Sequence, residues 1–514
     1  MTVTEIRQIL ESPYDRKVWK GFIQTQFTNN KLNAEDRTIL LSDKTLSKQC
    51  LSLGNYEINE YTNIGIFEVQ LNEKVNIARN RVALRNLIKD ITKQVAGAMV
   101  VFVQGEKWRF SYISKRKVKN AANEIEDKQT APKRYTYLFG KNEKALTAAI
   151  RFDKLIQKQK ENIFQFLLLD DFEETFSVEK LSKEFFKNYK EIYEDFVKFL
   201  TGKRYGKKGN KYVEQVIHEP NWQLTSIFGK DEKQARDFCK RIMGRIVFLY
   251  FIQKKGWLAV MQGKIWGEGN PDYLFDLFRK SKYKDDFYAR ELVPLFFTRL
   301  NNEDSENKAR EVRFPYLNGG LFDDSHDRKF NKLFLPEEIF ERLFTTFNNY
   351  NFTVYEDAPD EHTVAVDPEM LGHIFENLLE DNKDKGAFYT PKEIVHYMCK
   401  ESLKAYLYAH PELHINENPF GKSAIEKIIQ QQELNVDETQ YAEKQAYKII
   451  DALEQVRICD PAIGSGAFPM GLLQEIFNAQ IYLHELKGFK KGVTDADIKK
   501  HIIEESIYGV DIDA

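Results

Sequence analysis

The alternation of apolar and polar positions changes character twice along the chain. Near the start, "IGIFEVQL" alternates strictly, which predicts a strand with Phe67, Val69 and Leu71 on one face and Glu68 and Gln70 on the other. Shortly after, "GAMVVFVQGEKWRFSYIS" reads as a hairpin, two β-rich runs joined by a turn at "QGEK". From about residue 166 the period lengthens. "SKEFFKNYKEIYEDFVKFL" and "ARDFCKRIMGRIVFLYFIQKKGWL" space their apolar residues by three and four, the helical repeat. Between them "GKRYGKKGNKY" reads as a glycine-punctuated basic loop with two tyrosines. From about 381 short strands alternate with helices, the pattern of a parallel sheet. The expected fold is multidomain α/β. An α+β domain spans 1–165, a helical connector 166–380, and a Rossmann-like parallel-sheet domain begins at 381 and is cut short at 514.

Length supports several domains, since 514 residues at roughly 150 per domain gives three or four. Apolar residues make up 42% and aromatics 13%, enough for separate cores. Lys and Arg number 76 against 78 Asp and Glu, so the total charge neither favours nor excludes nucleic acid. The four cysteines (Cys50, Cys239, Cys399 and Cys459) form no CxxC pair, which argues for reduced thiols and against a zinc site or disulfide frame. The charged amino terminus is no signal peptide, and no apolar run nears the ~20 residues that span a bilayer. The expectation is a cytoplasmic protein with no membrane segment.

The richest chemistry lies in "VRICDPAIGSGAFPMGLLQEIF", where an apolar strand ends at Asp460, a glycine loop follows through Gly464 and Gly466, and a long helix begins. Glycines let backbone approach a ligand closely, and the carboxyl ends of parallel strands are where such folds bind one. A carboxylate there repels phosphate and suits an ammonium group, and no GxxxxGK[ST] lysine is present. "IYGVDIDA" reads as the next strand, with Asp511 placed to accept hydrogen bonds from a ribose diol and Asp513 on the other face. The spacing from Asp460 to Asp511 is about 50 residues, against ~20 in a dinucleotide fold. Upstream, "GAFYTPKEIVHYM" carries Thr390-Pro-Lys-Glu393 in capping-box form; it is either simply a capped helix or the other wall of the same pocket.

Together these pieces resemble the amino-methylating DNA methyltransferases of the γ order. The resemblance implies S-adenosylmethionine as cofactor, held by Phe388, Tyr389, Thr390 and Pro391, by Asp460, Pro461, Ala462, Gly464, Gly466 and Phe468, and by Asp511 at the ribose. The family's Asn/Asp-Pro-Pro-Tyr/Phe loop, which receives a flipped adenine, has no counterpart in these 514 residues. "NPF" at Asn418–Phe420 lacks the second proline and reads as a turn. The expectation is that this chain alone does not methylate.

In the N-terminal region, Glu60 and Glu68 project from neighbouring strands, and two such carboxylates can hold Mg²⁺. The following segment places Arg81, Arg85 and Lys89 on one helical stripe suited to phosphates. This resembles the PD-(D/E)xK nuclease core, with Glu60 where Asp is usual and Gln70 where Lys is usual. An amphipathic hairpin followed by a helix with a solvated basic face is the alternative.

The whole order of parts, including "FPYLNGGLFDD" and "DPEMLGHIFENLLE" in the helical middle, resembles type IIG restriction–modification enzymes. That resemblance implies the front of a protein that methylates adenine N6 in a specific double-stranded DNA sequence and cuts DNA with a Mg²⁺-dependent nuclease. Two other readings stand beside it: a DNA-associated or cofactor-binding subunit completed by a second chain carrying the missing half, or a standalone nuclease with a vestigial methyltransferase segment. Among weaker features, "GKRYGKKGNKY" suits either a nucleic-acid backbone or a solvated loop. "DDSHD" (Asp323–Asp327) reads as an acidic surface turn rather than a metal site, and no HExxH occurs.

Overall fold

The computed structural model describes the chain except residues 42–45, 60–61, 74, 76, 78–94, 96, 115–116, 120–124, 130–132, 142, 162–166, 177, 209–210, 318–319, 323–326, 354–360, 364, 367–369, 371–389, 391, 414, 433, 465, 488–492 and 511–514. It forms two compact units, Met1–Met370 and Leu371–Ala514.

The first unit is organised by a seven-stranded sheet. Strands β1 (Asn30–Thr38), β2 (Ser47–Asn59), β3 (Thr62–Leu71), β4 (Gly97–Gln104) and β5 (Lys107–Ser114) lie side by side in chain order. A small hairpin of β6 (Lys117–Lys119) and β7 (Ile125–Gln129) precedes β8 (Lys133–Gly140), which pairs with β5, and Glu361–Thr363 adds a parallel strand beyond it. The β4–β5 hairpin forms as the sequence predicts, pairing Gln104 with Lys107 across a turn in which Gly105 has φ +59°. The β3–β4 pair is parallel, Glu68 lying opposite Val101. Alternation along β3 also holds, with Phe67, Val69 and Leu71 in one core beside Cys50, Val100 and Phe102.

The opposite face is covered by α1 (Val3–Glu11), α2 (Arg16–Gln26) and α3 (Leu146–Glu161). Aromatic side chains fill this layer, with Trp19 and Phe110 ring centroids 5.8 Å apart and Phe110 and Phe152 5.4 Å apart. This cover has a consequence the strand pattern does not reveal: Glu68, on the polar side of β3, is 1% exposed.

Beyond the sheet the unit is helical, as the spacing predicts. Helices α4 (Val178–Thr201) and α5 (Glu232–Lys254) pack with α6 (Glu337–Phe347) around Phe185, Tyr189, Tyr250 and Phe347. Gly256 ends α5 with φ +72°, and a Cβ there would lie 2.2 Å from the Gly267 carbonyl oxygen.

Two expectations are corrected here. The basic segment "GKRYGKKGNKY" is no loop: Lys203–Lys208 (β9) and Lys211–Val216 (β10) pair antiparallel, Lys208 opposite Lys211. A Gly-Asn pair between β-tolerant runs is a hairpin signal that the glycine count obscured. Asp327, the last residue of "DDSHD", is 0% exposed instead of lying on a surface turn. The Arg241 and Arg245 guanidinium groups on α5 hold its carboxylate at 2.7 and 2.6 Å. Asn418–Phe420 is the expected turn, with the Phe420 amide donating to Asn418 Oδ1.

In the second unit the alternation expected from 381 begins, among the described residues, only at Ile458. Before it come α7 (Lys392–Ala409), α8 (Gly421–Gln430) and α9 (Val436–Gln455), packed around Leu403, Ile425, Ile449 and Leu453. Strands β11 (Ile458–Asp460) and β12 (Ile507–Gly509) then pair in parallel, Asp460 opposite Gly509, on either side of α10 (Ala467–Lys487) in sequence. No described helix is long and apolar enough to cross a membrane. The described cysteines are free thiols; only Cys459 is exposed.

Candidate functional site

The second unit builds its site at the carboxyl end of β11. The Asp460 carbonyl accepts the Val510 amide at 2.9 Å, and the Val510 carbonyl accepts the Ile463 amide at 2.9 Å, so the loop is stitched to β12. Asp460 Oδ1 accepts the Ala462 amide at 3.0 Å, an Asx turn that swings the chain out of the strand. Two left-handed residues then reverse it, Gly464 at φ +50° and Gly466 at φ +78°. A Cβ on Gly466 would meet nothing within 4 Å, so that glycine is required by its backbone angle and leaves open space above the loop. Helix α10 starts at Ala467, the Met470 amide bonding the Gly466 carbonyl at 2.9 Å.

Pro461, Ala462 and Gly464 are exposed, and Asp460, Gly466 and Phe468 half-buried. Oδ2 of Asp460 has no partner among the described residues and is available to a ligand's ammonium group. Close packing places the loop: a Cβ on Gly509 would lie 2.2 Å from Ile463 Cδ1. The turn gathers Asp460, Pro461, Ala462, Gly464, Gly466 and Phe468 in one place. Asp511, Phe388, Tyr389 and Pro391 lie outside the described residues.

Thr390 is half-buried two residues before α7, and α7 runs against α10. Gly471 makes the approach possible, since a Cβ there would lie 2.9 Å from Val395 Cγ1 and 3.0 Å from Cys399 Sγ. The Cys399 thiol points at the Phe468 carbonyl at 3.8 Å, and burial, with the Glu475 carboxylate nearby, pushes it up to about 12. One turn on, His396 Nδ1 lies 2.6 Å from Glu475 Oε1. The helix that follows Thr390 and the helix that follows the glycine loop are thus one packed pair. Neither His396 nor Glu475 was readable as paired, because they stand 79 residues apart.

In the first unit Glu68 lies at the centre of a polar cluster. The Asp15 carboxylate caps α2, accepting the Lys17 amide at 2.7 Å and the Val18 amide at 3.0 Å, which sets Tyr14 and Arg16 on either side of the cap. The Arg16 guanidinium donates twice to Glu68, Nε to Oε2 at 2.7 Å and Nη2 to Oε1 at 2.6 Å. The Tyr14 hydroxyl donates to Oε2 at 2.9 Å and the Gln70 amide to Oε1 at 3.2 Å. Asp36 completes the group, 3.5 Å from Arg16 Nη1 and 2.8 Å from Lys20 Nζ. Burial beside Glu68 pushes the Tyr14 phenol well above its ordinary value, and the bond to Glu68 raises the Arg16 guanidinium further. A cleft of about 420 Å³ opens beside Tyr14, lined by Ile9, Pro13, Val18, Trp19 and Trp108.

Glu68 and Gln70 therefore do share one face, but in a setting that the strand alone does not predict. A carboxylate offers about four acceptor positions, and four donors fill those of Glu68. Mg²⁺ requires near-octahedral oxygen ligands, and no cluster of three metal-ligating side chains occurs among the described residues. As arranged, this centre does not fit the ion. Glu60, Arg81, Arg85 and Lys89 lie outside the described residues. Tyr14, Arg16, Lys20 and Asp36 were missed by sequence reading, which had no spacing signal for them.

No family model matches the chain. It is similar to a candidate type II restriction enzyme and methyltransferase of Methanocaldococcus jannaschii, 26% identical over 347 residues, covering 63% of this chain and 28% of the relative. The chain thus spans little more than a quarter of that protein's length. Among solved structures, the Type IIL restriction–modification enzyme MmeI in complex with DNA matches at TM-score 0.37 and 15% identity, covering 64% of this chain and 34% of that one, a likeness too loose to carry an argument. The likeness to a protein that joins restriction and modification, read first from motifs, is thus found again in the long alignment to the archaeal protein.

Proposed function

We propose that this chain, similar as it is to a joined restriction enzyme and methyltransferase, is the front part of an enzyme that methylates adenine N6 in a specific double-stranded DNA sequence and also cuts DNA. The turn at Asp460 carries the first half of that reading. A half-buried carboxylate ends a strand, two left-handed glycines follow, and a long helix begins directly after them. That is a grip for a zwitterionic ligand with an ammonium group, and it disfavours a phosphate.

In this reading S-adenosylmethionine supplies an electrophilic methyl group. Asp460 would hold its ammonium group, with Pro461, Ala462, Gly464, Gly466 and Phe468 around it. By the resemblance, Asp511 would hold the ribose hydroxyls, and Phe388, Tyr389, Thr390 and Pro391 would contribute to holding the cofactor. These residues bind and orient the cofactor. None handles a base, because the sequence holds no Asn/Asp-Pro-Pro-Tyr/Phe loop. The chain by itself binds cofactor without transferring methyl groups.

The experiment is calorimetric titration of the chain with S-adenosylmethionine, paired with a methyl-transfer assay on duplex DNA. One molecule bound per chain, lost in Asp460→Ala, supports the reading. No binding by the wild-type chain overturns the cofactor half, and transfer by this chain alone overturns the division of labour.

For cutting, the supporting observation is the carboxylate-bearing β3 within a mixed sheet, Glu68 and Gln70 adjacent on one face. Glu68 as placed is fully engaged by Arg16, Tyr14 and Gln70. Loss of Mg²⁺-dependent cleavage in Glu68→Ala tests the assignment.

A further inference from the structure

The basic ribbon of β9 and β10 carries its charge unevenly. At its foot, cations meet acids. The Lys203 ammonium lies 2.8 Å from Glu232, the Arg236 guanidinium of α5 lies 2.7 Å from Glu214 on β10, and Arg204 lies 3.9 Å from Asp195 on α4. Both ends of the ribbon are fastened at one point. The Ile217 amide bonds the Gly202 carbonyl at 2.8 Å, and a Cβ on Gly202, at φ +72°, would collide with the His218 carbonyl. Toward the tip the acids stop. From Tyr205 to Val213 the sequence holds Lys207, Lys208 and Lys211 and no Asp or Glu. The register sets Lys208 opposite Lys211 and Lys207 opposite Tyr212. Like charges directly opposite on two strands repel, so this pairing is unfavourable in the protein alone. A polyanion lying along the ribbon would offset that repulsion.

We propose that the β9–β10 ribbon is a DNA-contacting arm, its lysine-rich tip entering the major groove of a duplex and meeting the phosphates that border it. That the polyanion is DNA rests on the restriction–modification reading of the chain; the charge and the register do not. Geometry favours a duplex over a single strand. Paired strands lie about 4.8 Å apart, and the major groove, about 12 Å wide, admits a two-stranded ribbon. Each strand has six residues, which carries Lys208 about 17 Å from Lys203 at 3.4 Å per step. That exceeds the Debye length of about 10 Å at 0.1 M salt, so the Glu232 carboxylate at the foot does little to neutralise the tip. Phosphate contacts fix a protein's orientation on a duplex and carry no sequence information. The arm therefore adds affinity equally on every sequence.

The test is fluorescence anisotropy of a labelled random-sequence duplex with the chain, across a series of salt concentrations. Lys207→Gln, Lys208→Gln and Lys211→Gln, made together, should weaken binding at least about tenfold at low salt. The slope of log affinity against log salt should fall by about 0.9 for each lysine that meets a phosphate. Arginine at the same three positions should restore both. A control with equal loss of charge, Lys264→Gln with Lys280→Gln and Lys500→Gln, alters side chains that are 57%, 77% and 70% exposed and already lie beside acids. It should change little. Wild-type affinity and slope in the ribbon variant overturn the arm and leave the restriction–modification reading standing. So does a control that loses as much, since net charge alone would then account for the effect. A ribbon variant that self-associates yet binds duplex as wild type also overturns it, and assigns the lysines to guarding the ribbon's open edges. Stronger ribbon-dependent binding to a single strand of the same length overturns the groove. A wild-type chain that binds no duplex overturns the arm without any variant, and titration of the same sample with S-adenosylmethionine shows separately whether the cofactor half of the reading survives.

Discussion

His396 Nδ1 lies 2.6 Å from Glu475 Oε1, fastening the helix that follows Thr390 to the helix that follows the glycine loop. Glu475 is 2% exposed and its Oε2 has no hydrogen-bond partner among the described residues, while Lys400 approaches Oε1 only to 3.9 Å. The imidazole is therefore its main support.

Replacing His396 by Ala leaves that buried acid almost unpartnered, at a cost of about 1–3 kcal/mol. The unfolding temperature should fall, and affinity for S-adenosylmethionine should fall with it as α7 loosens from α10. His396→Asn keeps a donor near Nδ1 and should recover part of both. Heat unfolding and calorimetry on the three proteins read this directly, and an unfolding temperature unchanged in the Ala variant would contradict it.

Asp460 does two jobs that one substitution separates. Asparagine retains Oδ1 for the Ala462 amide, so the turn should survive in Asp460→Asn. The negative charge is gone, and cofactor affinity should fall about tenfold or more, the scale of a lost charge-assisted bond. Alanine also removes the turn bond. Stability should therefore be near wild type in Asn and lower in Ala, while both bind poorly. An Asn variant with wild-type affinity would mean that the carboxylate does not meet an ammonium.

Asp327 shows how differently two ion pairs can count. It is buried with Arg245, their side chains 1% and 2% exposed, and Arg241 adds a second guanidinium. Asp327→Asn leaves the buried Arg245 guanidinium short of an anion, and should destabilise the first unit by about 3–5 kcal/mol. Asp276→Asn breaks a pair with Lys280 that is 38% and 77% exposed and should cost under about 1 kcal/mol. Urea unfolding of both variants settles the contrast.

The second unit should weaken in acid through Glu438. Its carboxyl is held at about 2, well below the usual carboxylate range, first by the Lys427 ammonium at 2.6 Å, then by the Ser423 hydroxyl and the Asn435 amide. A depressed folded value means that this contribution is complete above the ordinary value of 4.5 and is lost as pH falls from there toward 2. Glu438→Gln should flatten that part of the profile, which thermal melts between pH 7 and pH 2.5 would show. A variant profile as steep as the wild type would place the acid sensitivity elsewhere.

What the sequence determined by itself was everything whose cause is local. Alternation put Phe67, Val69 and Leu71 on one side of β3 and Glu68 and Gln70 on the other, because successive residues of a strand must point to opposite faces. The glycine loop was legible from Asp460, Gly464 and Gly466, because the turn is set by an Asx bond two residues long and by angles that favour glycine. Long helices followed their period. Local reading failed at the basic ribbon of β9 and β10, where glycine served pairing instead of breaking it.

Only the tertiary structure decided what each acid meets. Glu68 looked like an open metal ligand and is instead covered by α2 and held by Arg16, 52 residues earlier. Asp327 looked like a surface acid and is instead buried against Arg241, 86 residues away. A strand or turn fixes the direction of its own side chains, but burial and partner are fixed by whichever helix packs over them. That choice belongs to the apolar faces of both elements together, and no spacing within either one encodes it.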